Sequence, residues 1–196
     1  MVPAVSSAKL AEALETKRLW LRWPGPEDAP AVLESMTHSW PELTKWLYWT
    51  RTGLPTLEQC AQRQSEARAT NAAGDALHYN LFLKPNGAFI GKLSFFEIEW
   101  EVPKAGIGYW LDTRFVGQGL MTEATKELTC YGMDELKLAR IQIDCNPLNT
   151  GSAQIAQRCG YAFEGNLINW SRDAQGALKD MAVYAMTPSS WPPHTL

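Results

Sequence analysis

At 196 residues the chain can bury one sizeable core but is short for two ordinary domains, so a single domain spanning 1–196 is expected, with tails at 1–15 and 188–196. Eighteen basic against 21 acidic residues leave a net charge of −3, which argues against nonspecific nucleic-acid binding through a basic face. No apolar run approaches the roughly 20 residues of a membrane span. The stretch from Met1 to Leu14 lacks a basic flank followed by a long apolar segment, so a cytoplasmic protein without a membrane partner is expected.

Leu19, Leu21 and Trp23 alternate with Trp20 and Arg22, which predicts a first strand closed by Pro24-Gly25-Pro26. Pro26-Glu27-Asp28 opens a helix on Ala29, Val32, Leu33 and Met36, and Ser39-Trp40-Pro41 is expected to break it before a second short helical piece through Leu47. Thr56, with Gln59 three residues on, opens another helix running to about Asn71. From His78 the period becomes two. Strands are predicted at 79–83, 88–100 and 106–112, the first two joined through Pro85-Asn86-Gly87. Leu120, Ala124, Leu128, Tyr131 and Leu136 trace one helix face, and Ile141, Ile143 and Cys145 one strand face. A short helix from Asn149 to Arg158 ends at Gly160, and strands at 162–170 and 177–186 complete an α/β chain: a mixed sheet with helices on its faces.

Cys60, Cys130, Cys145 and Cys159 show neither a metal-ligand spacing nor a disulfide framework, and are read as small buried residues. More informative is the segment from Arg114 to Leu120, between a strand and a helix. Glycine at 117 and 119 permits backbone conformations that gather several N–H groups on one anion, and the following helix adds the positive end of its dipole. The pattern suits a pyrophosphate.

Taken in order, Ile107-Gly108-Tyr109-Trp110-Leu111-Asp112, Arg114-x-x-Gly117-x-Gly119, Asn146-Pro147-x-Asn149-x-x-Ser152 and Arg158-Cys159-Gly160-Tyr161 resemble the GNAT superfamily of N-acetyltransferases. The resemblance spans about residues 17–187, and the subgroup most similar is the RimJ/RimL type, which acetylates the N-terminal residue of ribosomal proteins. It implies a mostly antiparallel sheet of six to seven strands with one splayed parallel pair, and acetyl-CoA as cosubstrate without a metal. By that resemblance the amides of Phe115, Val116, Gly117, Gln118, Gly119, Leu120 and Met121 hold the pyrophosphate, with Arg114 nearby. Trp110 and Leu111 lie on the strand that parts from Ile141–Cys145 to admit the pantetheine arm, and Asn149 is the polar contact to that arm. Ser152 is read either as a further cofactor contact or as a plain first-turn helix residue.

Acetyl transfer by direct attack in a ternary complex needs a neutral amine, a polarised carbonyl and a leaving thiolate. An α-amine has a pKa near 8, so about a tenth is neutral at pH 7, while lysine near 10.4 leaves well under a hundredth. The family places the oxyanion on a strand N–H, here that of Leu111. Glu97, Glu99 and Glu101 alternate, so their carboxylates are expected on one sheet face, either as a solvated edge or with Glu99, the best match to relatives, as base. Two positions depart from the family: Ala156 stands where many members have a tyrosine acid, and Ser171, with Asp173 two residues later, stands where some RimL-type enzymes have a glutamate. Tyr184 is expected near the acetyl site or simply in the core.

Trp40, Trp46, Tyr48 and Trp49 crowd a region that borders the acceptor cleft in this family, with Trp170 before the opposite wall. They either clamp an acceptor or pack helices onto the sheet. The resemblance implies acetylation of a primary amine, first of all a protein N-terminus, and allows a homodimer. Two alternatives remain: a small-molecule amine acetyltransferase for detoxification or self-protection, and a non-catalytic acetyl-CoA sensor or scaffold. A nucleotide-binding Rossmann domain is opposed by the missing G-x-G-x-x-G.

Overall fold

The computed structural model describes residues 10–173 and 175–191. Its strands are β1 (Ala13–Glu15), β2 (Leu19–Arg22), β3 (Leu77–Leu83), β4 (Phe89–Glu99), β5 (Lys104–Leu111), β6 (Arg140–Cys145), β7 (Ala162–Arg172) and β8 (Leu178–Met186). Its α-helices are α1 (Ala29–Trp46), α2 (Leu57–Ala73), α3 (Leu120–Cys130) and α4 (Thr150–Arg158). The strands form one sheet in the order β1-β2-β3-β4-β5-β6-β8-β7. Every neighbouring pair is antiparallel except β5 with β6. The sheet has eight strands rather than six or seven because β1, too short to show a period, pairs with β2 through Ala13–Arg22, Leu14–Leu21 and Glu15–Trp20.

Two apolar layers sandwich the sheet. On one face α1 and α2 bury Ala29, Val32, Met36, Leu43 and Cys60 against Phe82 and Phe89. On the other, Leu120, Ala124 and Leu128 of α3 and Ala156 of α4 join Leu81, Leu93, Ile107, Ile141 and Ile143 in the larger core. The helix starting at Thr56 forms as its sequence dictates: the Thr56 hydroxyl accepts from the Gln59 amide at 3.2 Å and the Gln59 side chain accepts from the Thr56 amide at 2.9 Å.

Two local expectations fail for tertiary reasons. Pro41 does not break the first helix; α1 runs from Ala29 to Trp46. An interior proline costs about 3 kcal/mol, but burying Val32, Met36 and Leu43 on one stripe returns about 1.5–3 kcal/mol per side chain. The Ser39 hydroxyl, also on the buried side, accepts the Thr113 amide at 3.0 Å and ties α1 to the end of β5. The second correction concerns the three glutamates. Glu97 has φ of 51°, and the β4–β5 register shifts between Phe96 and Glu99. Strand β4 ends at Glu99 and Glu101 lies in the turn beyond, so the three carboxylates do not share a face.

What positions the site is the junction of β5 and β6. Their ladder has three rungs, Lys104–Arg140, Ala105–Ile141 and Gly106–Gln142, and none from Ile107 onward. Over the same length β6 stays paired with β8 from Ile141 to Cys145, and β5 with β4 up to Leu111. The gap therefore opens inside the sheet, between two ladders that remain whole.

Candidate functional site

Along β5, residues facing β4 exchange hydrogen bonds in alternate pairs. The Asp112 amide donates to the Ile90 carbonyl at 2.8 Å, which puts Trp110, Gly108 and Gly106 on the same side by alternation. The odd residues Ile107, Tyr109 and Leu111 then turn their N–H and C=O groups toward β6, where past Gly106 there is no strand to meet them. The Leu111 amide expected to face a reacting carbonyl has the parity such a role requires.

The chain next makes a single 3-10 turn, Thr113–Phe115, and reaches α3 through two glycines. Gly117 has φ of 80° and Gly119 φ of 72°, left-handed conformations that L side chains adopt rarely. The expected seven-amide cradle is smaller than the sequence suggests. Phe115 donates to the Asp112 carbonyl at 2.9 Å and Val116 to the Thr113 carbonyl, so both amides are spent within the turn. The amides of 117–121 have no acceptor among the described residues, and those at the start of α3 carry the positive end of its dipole.

Arg114 is used differently from the expectation. Its guanidinium forks onto Asp112 at 2.6 and 3.0 Å and reaches Glu34 of α1 at 2.7 Å, so it braces the turn against α1 rather than facing the cleft. Burial alone would raise the Asp112 carboxyl, but donors from the Arg114 side chain and amide outweigh it, and its pKa is lowered. Sequence gave no warning of the brace on the far side of the cradle. Arg18 donates to the Gln118 carbonyl at 2.9 Å and pairs with Glu123 at 2.6 Å, while Thr16 donates to the same glutamate at 2.6 Å. These contacts span about a hundred positions, beyond any local pattern.

One cleft of about 970 Å³ runs from this loop through the parted strands. Toward α3 and α4 its walls include Gly117, Gly119, Met121, Asn149, Ser152 and Arg158; toward α1 they include Leu43, Trp46, Tyr48 and Trp110. Asn149 caps α4, its side-chain oxygen accepting from the Ser152 amide at 3.1 Å, so its NH2 group is what remains to offer a ligand. The Ser152 hydroxyl lies 3.0 Å from the Tyr109 hydroxyl, and Tyr109, which lines the same cleft, is a residue that the sequence did not single out.

Of the aromatic residues named from sequence, Trp46 and Tyr48 line the cleft. Trp46 is fixed by a hydrogen bond from its ring N–H to Glu42 at 2.9 Å. Trp40 and Trp49 instead meet edge to face at 6.1 Å outside it, with Trp40 packed on the α1–α2 layer. Trp170 is 62% exposed on β7 and does not reach the cleft, whereas its neighbour Ser171 does, together with Arg172, Asp173 and Lys179. Tyr184 is buried in the core against Phe163 at 5.4 Å. Glu99 is not brought to the site. It pairs with Lys104 at 2.6 Å at the closed end of the β5–β6 ladder, three residues before the opening and hence about 10 Å from it at the strand rise.

Residues 18–162 match the model of an acetyltransferase (GNAT) domain. The uncharacterized N-acetyltransferase p20 of Bacillus licheniformis is 30% identical over 89% of this chain and 96% of its own length. The ribosomal-protein-serine acetyltransferase of Escherichia coli K12 is 33% identical over 65% of this chain and 73% of its own. RimL, a ribosomal L7/L12 alpha-N-protein acetyltransferase solved in complex with coenzyme A, superposes with a TM-score of 0.84 at 25% identity, covering 92% of this chain and all of that one.

Proposed function

Because the chain belongs to the GNAT family, whose members are acetyl-CoA-dependent N-acetyltransferases, we propose that its acceptor is the α-amine of a protein N-terminus. The observation that carries this reading is the passage through the sheet. Where β5 and β6 part, one cavity opens to both faces, with free amides on one side and an aromatic and charged mouth on the other. A cofactor laid in from the α3–α4 side leaves the α1 side for a second, extended substrate, so the two reactants meet in one ternary complex. The relative from E. coli, named for acetylation of a ribosomal-protein serine, supports a protein terminus as that second substrate.

In this proposal the amides of 117–121 receive the pyrophosphate, and the exposed edges of β5 and β6 pair with the amides of the pantetheine arm. Asn149 adds a donor to the arm. The odd-numbered β5 amides, Leu111 first, then polarise the thioester carbonyl; a single donor of this kind is worth about 3 kcal/mol to the transition state. Trp46 and Tyr48 on one side, and Ser171 at the end of β7 on the other, wall the acceptor. An α-amine is a far lesser burden than lysine here, since about a tenth of it is neutral at pH 7.

The test is thiol release from acetyl-CoA over a panel of serine- and alanine-initiated peptides, N-terminally blocked lysine peptides and small amines, with the modified position read by mass spectrometry. Transfer to the terminal amine of the free peptides, and little to the blocked ones, is the expected result. Faster transfer to a small amine or to lysine would replace this acceptor, and tight acetyl-CoA binding without turnover on any amine would leave a sensor instead of a catalyst.

A further inference from the structure

Asp144 lines the cleft in a position unusual for a carboxylate. It sits on β6 two residues past Gln142, the last residue paired with β5, at the level of Gly108 across the opening gap. Alternation puts its side chain on the face opposite buried Ile143 and Cys145, the same face as Met181 and Val183 of β8 and as Trp110, which packs toward α1. That is the acceptor side, at the vertex where a thioester carbon in the gap would be attacked.

A relay of side chains sets the carboxylate. Arg140 forks onto Glu164, at 2.9 and 2.5 Å, and donates to the Gln142 side-chain oxygen at 2.6 and 3.2 Å. With its oxygen held by Arg140, the Gln142 amide turns its NH2 outward and donates to Asp144 Oδ2 at 2.9 Å. Oδ1 is screened from solvent and has no hydrogen-bond partner. A carboxylate oxygen left unpaired in this way is costly unless it is used. The charged groups facing it are Arg140 on its own strand, Glu97 on β4 and Glu164 on β7. Burial pushes its carboxyl above the usual range; the Gln142 hydrogen bond and Arg140 pull the other way, and the two glutamates add to the rise.

We propose that the Asp144 carboxylate is the proton acceptor for the incoming amine, oriented by Gln142 and Arg140. The inference rests on the acetyl-transfer reading above. At neutral pH the α-amine arrives mostly as ammonium; one proton passes to the Asp144 carboxylate and on to water, and the freed nitrogen lone pair attacks the thioester carbon. The C–N bond forms as the carbonyl π electrons move to oxygen, then the C–S bond breaks, and the second nitrogen proton ends on the departing sulfur as thiol. A carboxylate with a raised pKa is better matched to this transfer than an ordinary one.

Asp144→Asn keeps the shape and the Gln142 contact while removing the base. With a short serine-initiated peptide and acetyl-CoA, kcat is expected to fall about 100-fold, with the KM for acetyl-CoA unchanged. The parent should show an acidic limb in kcat with an apparent pKa above that of an ordinary carboxylate, and the variant should lose that limb. Stability separates this from a structural role. A raised native pKa means that stability from this group is full below the unfolded carboxylate pKa and lost as pH rises through the native one, so at pH 7 the amide should keep or raise the melting temperature. Equal kcat in parent and variant, or a fall in kcat with a lower melting temperature and an unchanged pH limb, would overturn the proposal while leaving the acetyltransferase reading intact. A parent with no turnover on any amine would end both.

Discussion

The two sides of the cleft are built by different means. Toward α3 and α4 the chain presents backbone: free amides at 117–121, left-handed glycines and the unpaired edge of β5. Toward α1 it presents side chains drawn from remote places, Trp46 from the end of α1, Asp144 from β6 and Ser171 from the end of β7. Backbone recognition is bought with a few residues in fixed sequence order and suits an invariant ligand. Side-chain recognition depends on what the fold brings together and can differ between relatives that share the first half.

Breaking the backbone side should have the largest effect. Gly119→Val introduces a β-branched residue at φ of 72°, and the site its Cβ would occupy is otherwise open, with only Arg18 at 3.7 Å. The domain should therefore fold, while acetyl-CoA affinity by calorimetry falls about 100-fold from strain and lost approach. Next comes the brace that holds the turn: Asp112→Ala removes the acceptor of the Arg114 fork from a fully buried position. Because Arg114 itself stays 40% exposed, the expected cost in urea unfolding is about 2 kcal/mol rather than that of a fully buried pair. On the side-chain half, Trp46→Ala should raise the KM for a peptide acceptor about tenfold, about 1.4 kcal/mol, with acetyl-CoA affinity untouched. An equal loss in both would mean that Trp46 belongs to the cofactor. Smallest of all, Glu99→Gln should change turnover less than about twofold, since its partner is Lys104 at the closed end of the sheet.

The same division decided how much the sequence could reveal. The glycine loop, the capped start of α2 and the alternation in β6 follow from residues within a few positions of each other, and all appear in the structure. The parting of β5 and β6 was reached through resemblance; no local pattern in Ile107–Leu111 or Ile141–Cys145 states which rungs are missing. The catalytic expectation at Glu99 failed because the bulge at Glu97 breaks the period that joined the three glutamates. Arg114 was placed beside the pyrophosphate by resemblance, but Glu34 and Asp112 claim its guanidinium. Asp144 lies between Ile143 and Cys145 in the sequence, but the setting of its carboxylate depends on Gln142, Arg140 and Glu164 acting in series.

The three rungs between β5 and β6 have a mechanical consequence. Among the described residues, these rungs and the Ala139 and Arg140 amides on the Pro103 carbonyl just before them are the backbone pairing that joins a five-stranded panel, β1 to β5, to a three-stranded panel of β6, β8 and β7. The seam between the panels is thus the shortest ladder inside the sheet, no longer than that of the edge strand β1, and amide exchange there should be faster than in the β4–β5 and β6–β8 ladders beside it. A tether that bonds to both lips would stitch them together, so loading the cosubstrate would also stiffen the protein before the second reactant arrives.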